Sequence, residues 1–444
     1  MSSIKQNIAH NLLRRKNLDK KIKVLVLSDH PLSPSGVGTQ TKYMIEHLLK
    51  TGNFSFFCLA GAMKHHDYTV TKVDPYGDDW TIMPVDGYGT ADHVRTIMRN
   101  ERPDIIWFMT DPRFWGWLWE MEDELRPVAP MVYYHVWDNY PYPVYNKPSY
   151  SSNDVIACIS KVTHDIVQNV APDVESYYLP HSVNTEIFTK LDDEMVSQFK
   201  VSHLKTQKTD NDEEKFIFFW NNRNARRKQS GSLIYWFKAF LDKVGHDKAQ
   251  LLMHTDVKDQ HGQDLEAIVH SLGLVNGEVM FSQAKIPASQ MAILYNMCDC
   301  TINVSDAEGF GLSTFESLAC ETPIIVNMTG GLQEQVTDGK DWFGIGIEPA
   351  SKAIIGSQEI PWIYEDRVSE QGAVDAMYKI YTMSKEERNK LGAMGRAHVL
   401  KNYNFDQYTE RWETLLLDIH ERLGSWENRK GYKSWDLIKI GAAA

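Results

Sequence analysis

Cysteine is scarce in this 444-residue sequence, and its five cysteines form no CxxC pair and no disulfide-like framework. Cys298 and Cys300 are one residue apart, a spacing more typical of a strand edge than of a metal site. Reduced cysteines favour an intracellular compartment. Apolar runs long enough to span a membrane are also missing, as is the apolar core of a signal peptide at the N-terminus. We therefore expect a cytoplasmic protein.

Positive charge is in deficit as well, because 47 Lys and Arg stand against 59 Asp and Glu, a net charge of −12. This balance disfavours broad, non-specific binding to nucleic acid. Residues 1–20 are an exception, since basic side chains there accompany Ile4, Ile8 and Leu12 at helical spacing. Two interpretations are open: a solvated N-terminal helix, or an amphipathic anchor that gives peripheral contact with an anionic membrane or with nucleic acid.

The sequence is rich in short apolar runs that alternate with helical patterns. Runs of this length, bounded by polar turn residues, are typical of buried parallel strands. In the first half they occupy 21–31, 54–60, 104–109, 131–137, 154–160 and 176–180. In the second half they occupy 216–220, 250–255, 278–282, 300–305 and 323–327. This alternation predicts an α/β protein with two Rossmann-like, doubly wound domains that face a central cleft.

A polar, charge-rich stretch after Lys190 separates the two halves and is typical of a linker. Near the C-terminus, Tyr408, Trp412 and Leu415 form an apolar helical stripe, which predicts a helix that packs back on the body and could cross to the first domain. The predicted segments are a basic N-terminal extension (1–20), an N-terminal Rossmann-like domain (21–190), a linker (191–214), a C-terminal Rossmann-like domain (215–400) and C-terminal helices (401–444).

The stretch SDAEGFGLSTFESLAC places two carboxylates, Glu308 and Glu316, around a Gly-Phe-Gly turn that follows an apolar run. Gly309 and Gly311 allow a ligand to approach the backbone closely, and the start of the helix behind them favours negative charge. A diphosphate fits this arrangement. Glu316 also has a purely structural interpretation, because Ser313 three residues earlier would form a capping box with it.

The segment from Glu308 to Glu316 resembles the E-x7-E motif of retaining, GT-B-fold glycosyltransferases of the group 1 family. Four other segments follow in the order in which that family shows its motifs: PSGVGTQ (34–40), LPHSVNTEIF (179–188), WNNRNARRKQ (220–229) and TGGLQEQVTDGKDWFG (329–344). The resemblance implies a first domain that binds the acceptor and a second that binds the donor. It also implies transfer of a hexosyl or pentosyl group from a nucleotide-diphosphate-sugar to a hydroxyl acceptor, with retention of anomeric configuration.

Two cations have an implied role at the donor diphosphate. By the resemblance, Arg223 and Lys228 would hold the diphosphate, where positive charge offsets the negative charge that grows on the leaving nucleotide. The alternative is a solvated basic surface, because Arg226 and Arg227 belong to the same run.

The carboxylates and glycines have implied roles along the rest of the donor. Glu316 would bind the ribose hydroxyls, and Glu308 would contact the transferred sugar. The glycine loop of the first domain, with Gly36 and Gly38, would close over the phosphates unless it forms an ordinary strand-to-helix turn. The donor-loop residues whose backbone would lie near sugar and phosphate are Gly309, Phe310, Gly311 and Leu312.

His135 follows an apolar run, at about the position where the family has a histidine near the sugar. A neutral imidazole there would hydrogen-bond a sugar hydroxyl or stabilise charge during transfer, and a satisfied core histidine is the alternative. Asp138 lies three residues on, without the further ligands that would predict a metal site. In agreement with the general behaviour of GT-B enzymes, we expect no metal and no cofactor beyond the nucleotide-sugar co-substrate.

Two other functions share parts of this pattern. A GT-B-fold sugar-nucleotide epimerase would use the same diphosphate site without an acceptor, and a non-catalytic scaffold would only bind a nucleotide or glycan. The acceptor of a transferase is open: a glycan, a lipid-linked glycan, a protein, a metabolite or a modified nucleic acid. Aromatic rings are dense between Trp107 and Tyr150. We expect core packing for the tryptophans there and acceptor contact for some of the loop tyrosines.

Overall fold

The computed structural model describes residues 20–201 and 214–433 together with Trp435. The basic extension predicted at 1–20 lies outside the described residues, except for Lys20, and so does the part of the predicted linker at 202–213. Within the described segments, no helix is both long enough and apolar enough to cross a lipid bilayer.

The first domain is built on an eight-stranded sheet. Its strands are β1 (Ile22–Asp29), β2 (Phe54–Gly61), β3 (Thr71–Val73), β4 (Gly77–Pro84), β5 (Ile105–Thr110), β6 (Met131–His135), β7 (Val155–Cys158) and β8 (Glu175–Tyr178). They are ordered β3-β4-β2-β1-β5-β6-β7-β8, and every neighbouring pair is parallel except β3 and β4. Strands β1, β5, β6 and β7 are almost completely buried, as expected for a parallel sheet that is covered on both faces.

Helices and short helical turns connect these strands. They are α1 (Gly36–Thr51), α2 (Ala91–Glu101), α3 (Gly116–Trp119), α4 (Glu122–Leu125), α5 (Lys147–Ser151) and α6 (Lys161–Val170). Helix α1 begins after Ser35, whose hydroxyl accepts a hydrogen bond from the Gly38 backbone, and it ends at Gly52 in the left-handed conformation. The side chains of Trp115 and Trp119 lie in the core of this domain, as predicted.

The second domain has a six-stranded parallel sheet. Its strands are β9 (Phe216–Asn221), β10 (Ala249–His254), β11 (Val279–Ser282), β12 (Cys300–Asn303), β13 (Ile324–Asn327) and β14 (Gly344–Ile347). They are ordered β11-β10-β9-β12-β13-β14. A separate antiparallel hairpin follows, formed by β15 (Ser351–Ile355) and β16 (Ile363–Arg367). The helices of this half of the chain are α7 (Asp193–Phe199), α8 (Ser230–Val244), α9 (Leu265–Ser271), α10 (Ala288–Met297), α11 (Leu312–Ala319), α12 (Leu332–Val336), α13 (Glu370–Thr382) and α14 (Lys385–Asn402).

The last long helix, α15 (Phe405–Leu423), returns to the first domain. The Trp412 ring packs edge-on against the rings of Trp107 and Tyr134, with centroids 5.8 and 4.9 Å away. Asn53, which follows α1, donates a hydrogen bond of 2.8 Å to the Glu413 carboxylate. The predicted apolar stripe is therefore buried against the domain that the chain builds first.

The predicted fold class of two doubly wound α/β domains around a cleft is confirmed. Each apolar run named in the sequence coincides with a strand to within a few residues. Strands β3, β4 and β14 and the β15–β16 hairpin were not predicted. In β3 and the hairpin most side chains are at least partly exposed, so no apolar run marks them. Helix α7 lies in the predicted linker, where acidic residues follow the N-cap Asp192.

Candidate active site

The two domains face each other across a cleft of about 840 Å³, whose walls follow the carboxyl ends of β1, β5, β6, β9 and β12. In open α/β sheets, ligands bind at these strand ends. Nine of the eleven predicted site residues line the cleft, namely Gly36, Arg223, Lys228, Glu308, Gly309, Phe310, Gly311, Leu312 and Glu316. Gly38 and His135 do not line it.

A basic turn after β9 supplies the cations of the cleft. Lys228 is buried, and its ammonium forms an ion pair with the Glu308 carboxylate. The guanidinium of Arg227 donates a hydrogen bond to the carbonyl oxygen of Ala307, directly before Glu308. The turn after β9 and the loop after β12 are thus joined at the point where the two glycines of the donor loop begin.

Burial and charge oppose each other in the Lys228–Glu308 pair. Burial and, to a smaller extent, the nearby charge of Arg227 lower the pKa of Lys228, while Glu308 acts in the opposite direction, and the net result is a pKa of about 8. Burial alone would raise the pKa of Glu308, but the charges of Lys228 and Arg227 outweigh it and lower that pKa. The pair is therefore ionised near neutral pH, and each charge depends on its neighbours for compensation.

Arg223 and Arg226 are the more exposed cations of this wall. Arg223 donates two hydrogen bonds to Asp259, at 2.6 and 3.1 Å. Arg226 donates two to the buried Glu365 carboxylate, at 2.9 and 2.6 Å. Both guanidiniums line the cleft in addition to these contacts. The predicted pair of Arg223 and Lys228 is therefore part of a row of four consecutive or nearly consecutive cations.

Helix α11 begins at Leu312, because Gly311 is its N-cap and adopts a φ of 92° that favours glycine. The predicted capping box of Ser313 and Glu316 is wrong, since the helix has already begun when Ser313 is reached. Glu316 instead accepts a hydrogen bond of 2.8 Å from the Tyr295 hydroxyl. Burial raises the pKa of Glu316 to about 7, and the Tyr295 hydrogen bond opposes that shift.

The glycine pair of the TGG segment packs directly on the donor loop. The Gly331 amide donates a hydrogen bond of 3.0 Å to the carbonyl oxygen of Glu308. A Cβ at Gly331 would lie 2.5 Å from the Gly309 carbonyl oxygen, and a Cβ at Gly330 would overlap the Glu308 carbonyl oxygen. Only glycines allow this contact, which holds the loop around Glu308 and Gly309 in place.

We expect Gly330→Ala to destabilise the protein by roughly 2–5 kcal/mol, because it combines an unfavourable φ of 48° with overlap against the Glu308 backbone. Gly339→Ala is the matched control, since Gly339 has a φ of 92° but open space around its Cβ position. The control should lose only roughly 1–2 kcal/mol. Unfolding midpoints in urea measure both. Equal losses for the two variants would show that the packing of the TGG segment contributes nothing.

The glycine loop of the first domain approaches the donor loop at one of its two glycines. A Cβ at Gly36 would lie 2.9 Å from Cδ1 of Leu312, so the two domains meet closely here. At Gly38, a Cβ would lie 2.5 Å from the Ser33 hydroxyl and 2.6 Å from the His30 carbonyl oxygen. Gly38, in the first turn of α1, therefore packs tightly on the strand-to-helix turn and does not line the cleft, and its role at the phosphates stays a prediction.

His135 is a core residue. Its side chain is fully buried, and Nε2 lies 2.7 Å from the Tyr150 hydroxyl. Burial lowers the pKa of His135 to about 3, so the imidazole is neutral. The expectation that His135 contacts the sugar is wrong, because the side chain points into the core of the sheet rather than into the cleft. The alternation of a strand already places His135 and Tyr133 on the same face.

Among the cleft residues that the sequence analysis gave no role, two carry groups that could contact a ligand. His181 lines the cleft, with Nδ1 2.8 Å from the Tyr134 hydroxyl and its ring edge-on to Phe310. Asp138 also lines it, and burial raises the pKa of Asp138 to about 6 although Arg227 opposes the shift. His181 belongs to the LPHSVNTEIF segment, so that motif carried a usable signal.

Acceptor contact was expected for some of the loop tyrosines after β6, but the three tyrosines of this loop bond to other parts of the protein instead. Tyr140 and Tyr142 donate hydrogen bonds of 2.8 and 3.1 Å to Asp165, and Tyr145 donates one to the carbonyl oxygen of Trp362. None of the three lines the cleft formed by the described residues. Across residues 20–201 and 214–433, no group of three or more His, Cys, Asp or Glu side chains is placed to hold a metal ion.

Residues 202–393 match the family model described as glycosyl transferases group 1. A D-inositol 3-phosphate glycosyltransferase from Thermomonospora curvata is 32% identical over 94 residues, which is 21% of each chain. The enzyme of the same description from Acidothermus cellulolyticus is 34% identical over 90 residues, which is 20% of each chain. The matched part of this chain thus spans about a fifth of the length of these curated relatives.

Solved structures resemble the chain over most of its length. A sucrose-phosphate synthase from Thermosynechococcus elongatus has a TM-score of 0.70 at 16% identity and covers 90% of this chain and 100% of its own. An Anabaena protein solved in complex with UDP-glucose has a TM-score of 0.66 at 14% identity, with 89% and 100% covered. At such identities the likeness establishes the fold. With the family match, it confirms the predicted resemblance to group 1 glycosyltransferases of the GT-B fold.

Proposed function

We propose that this chain, which has the GT-B fold and matches the group 1 glycosyl transferases over residues 202–393, transfers a sugar from a nucleotide-diphosphate-sugar to a hydroxyl acceptor. The transferred group is a hexosyl or pentosyl unit, and its anomeric configuration is retained. The reaction needs no bound metal and no further cofactor, because the cations of the chain itself offset the charge of the diphosphate.

One observation carries the proposal. Lys228 and Glu308 form a buried ion pair beside a backbone that only glycines can follow, inside a cleft between two domains. A buried ion pair contributes little to the stability of a fold, so the presence of one in this cleft favours a role in ligand binding. A diphosphate seated on Gly309 and Gly311 would meet the ammonium of Lys228, the guanidinium of Arg227 and the start of α11, with Arg223 as the further predicted cation on the same wall of the cleft.

The rest of the donor follows from the positions of two carboxylates. Glu316 is the fifth residue of α11, and its carboxylate accepts hydrogen bonds from the ribose hydroxyls, in place of or in addition to the bond from the Tyr295 hydroxyl. Glu308, next to Asp138 of the first domain, lies where the sugar attached to the diphosphate would be. Carboxylates suit both places because each oxygen accepts more than one hydrogen bond.

Retention is achieved by attack from the face that the diphosphate leaves. The bond between the anomeric carbon and the phosphate oxygen breaks, the acceptor oxygen bonds to the same carbon, and the acceptor proton passes to the departing phosphate. Glu308 is engaged by Lys228, so it is poorly placed to be a covalent nucleophile. Lys228 and Arg227 stabilise the diphosphate as its charge increases.

A thermal-unfolding panel with UDP, GDP and ADP tests the proposal, with UDP-sugars included because structurally similar proteins were solved with UDP-glucose or a UDP-glucose analogue. We expect one nucleoside diphosphate to raise the unfolding temperature, since a ligand at about 100 times its Kd stabilises by about 2.7 kcal/mol. Lys228→Ala should reduce the shift by about half or more, because a hydrogen bond to a charged group contributes roughly 1.5–3 kcal/mol. No shift with any nucleotide would overturn the proposal.

The same donor separates the transferase from its two rivals. A transferase releases nucleoside diphosphate at a rate that increases with added acceptor. An epimerase converts the donor to its epimer without acceptor and without releasing nucleoside diphosphate. A scaffold binds the nucleotide and leaves the donor unchanged. Chromatography of the donor after incubation distinguishes the three results.

A further inference from the structure

The β15–β16 hairpin, residues 351–367, reaches from the second domain onto the first, and we call it the arm. The Tyr364 amide donates a hydrogen bond of 2.6 Å to the Tyr140 carbonyl oxygen, and the Asn139 side chain donates one of 2.9 Å to the Tyr364 carbonyl oxygen. The Tyr145 hydroxyl donates a further bond of 2.9 Å to the Trp362 carbonyl oxygen. All three bonds involve the arm's backbone, at Trp362 and Tyr364, so the start of β16 is held against the first domain.

Apolar contacts strengthen this attachment. Ile360 and Ile363 pack against the hydrophobic core of the first domain. Both side chains also line the cleft, together with Ile355 from the other strand of the arm. Arg113, which follows β5, has a pKa raised mainly by its hydrogen bond with Asp111, and the negative charge of Glu359 near the tip of the arm contributes in the same direction. The arm therefore closes a contact between the domains that is independent of α15.

The root of the arm is fixed to the cation wall. The Glu365 side chain is only 2% exposed and accepts two hydrogen bonds from Arg226 and one of 2.7 Å from Arg367. Arg367 also forms an ion pair of 3.1 Å with Asp306 in the loop after β12. Two cations and two buried carboxylates thus fix the root of the arm on the donor domain, while Trp362 and Tyr364 of the same hairpin bond the first domain.

The position of the arm relative to the donor determines what it bounds. In the proposed arrangement the diphosphate is at Lys228 and the sugar at Glu308, and the apolar side chains of the arm line the same cleft together with Arg113 and Asn139 of the first domain. The whole cleft has about 840 Å³, within the usual range of small-molecule sites, and it has to hold donor and acceptor together.

We propose that the arm makes the acceptor end of the cleft a walled chamber that selects a small hydroxyl compound, or the terminal unit of a chain, with an apolar edge. The apolar edge would lie against Ile355, Ile360 and Ile363. A hydroxyl in the interior of a polymer is excluded, because the polymer would have to pass through the bonds between the arm and residues 139–145. The identification of the occupant as an acceptor rests on the proposed function. The accessibility of the chamber does not, and it is tested without any donor.

Thiol labelling measures access to the chamber. All five native cysteines are buried, so they should not compete for the reagent. The substitution Val136→Cys adds one thiol in the cleft wall beside Gly309, and its labelling rate measures access to the site. Iodoacetamide is the small probe and a polyethylene-glycol maleimide is the polymeric probe. With the arm intact, we expect iodoacetamide to label the cysteine at position 136. The rate of polymer labelling divided by the rate of iodoacetamide labelling should be at least tenfold lower there than at an exposed cysteine placed at Val275.

Detaching the arm should remove the discrimination. In the Val136→Cys background, Ile360→Asp with Ile363→Asp disrupts the apolar contact, and polymer labelling should rise at least tenfold. Ile354→Asp is the matched control, because Ile354 lies on the same hairpin but is 69% exposed. It should leave labelling unchanged. If the double variant does not fold, as judged by circular dichroism, Asn139→Ala with Tyr145→Phe removes two of the arm's hydrogen bonds instead.

Three results would overturn the chamber. They are equal polymer labelling with intact and detached arms, fast polymer labelling with the intact arm, and absence of labelling by iodoacetamide. The nucleotide panel is run on the same variants. Nucleotide binding with free polymer access would refute the arm and keep the proposed function, and polymer exclusion without nucleotide binding would do the reverse.

Discussion

A Lys228→Ala variant is expected to lower turnover by about 10- to 150-fold, because a hydrogen bond to a charged group contributes roughly 1.5–3 kcal/mol. Lys228 is the buried cation nearest to the donor loop, and it is already paired with Glu308. Its loss removes positive charge where the leaving diphosphate becomes more negative. The measurement is the rate of nucleoside diphosphate release from the donor that stabilises the protein.

The control for this variant separates catalysis from folding. Breaking a buried ion pair costs about 3–5 kcal/mol of stability, so unfolding temperatures accompany the rates, and assays are run well below them. Lys238→Ala removes a lysine that pairs with Asp242 on the surface of α8 and should change neither quantity appreciably. A folded Lys228→Ala protein with wild-type turnover would contradict the proposed function.

A Glu316→Gln variant is expected to weaken nucleoside diphosphate binding at least about tenfold at pH 8, because a neutral amide replaces a carboxylate that accepts ribose hydroxyls. The pH dependence follows from the raised pKa of Glu316, which is about 7. Above that pH the group is ionised and accepts hydrogen bonds with both oxygens. Below it a proton occupies one oxygen, so wild-type affinity should fall by up to about tenfold per pH unit.

Calorimetric titration of the two proteins at several pH values measures this effect. The diphosphate also titrates in this range, but its protonation affects both proteins equally and cancels in the ratio of their dissociation constants. Glu370→Gln, an exposed carboxylate in the first turn of α13, is the matched control and should behave as wild type. A ratio that does not change between pH 6 and 8 would refute the role of Glu316.

The sequence was sufficient to predict most of the fold, because parallel strands that are buried on both faces appear as apolar runs. It was less informative for elements whose side chains are partly exposed. The arm is the main example: the alternation in β15 and β16 is half polar, and its partners lie more than two hundred residues earlier in the chain. Contacts of that kind depend on how two domains are placed, which no local pattern specifies.

The candidate site was predictable where its residues belong to recognisable motifs. Glu308 and Lys228 were placed on the same cleft by separate motifs, and the structure brings them into contact. His135 and the capping box failed for local reasons. The pleat of β6 turns His135 into the core, and the left-handed Gly311 starts α11 before Ser313. Both depend on backbone angles that residue type alone does not determine.

The return of α15 to the first domain has a consequence for synthesis on the ribosome. The sheet of that domain is complete at Tyr178, but the helix that covers Trp107 and Tyr134 ends roughly 250 residues later. At typical elongation rates this interval is on the order of tens of seconds. During it, the nascent chain presents an uncovered aromatic surface, which is the kind of surface that chaperones recognise, and a fragment that ends before Phe405 would keep it permanently.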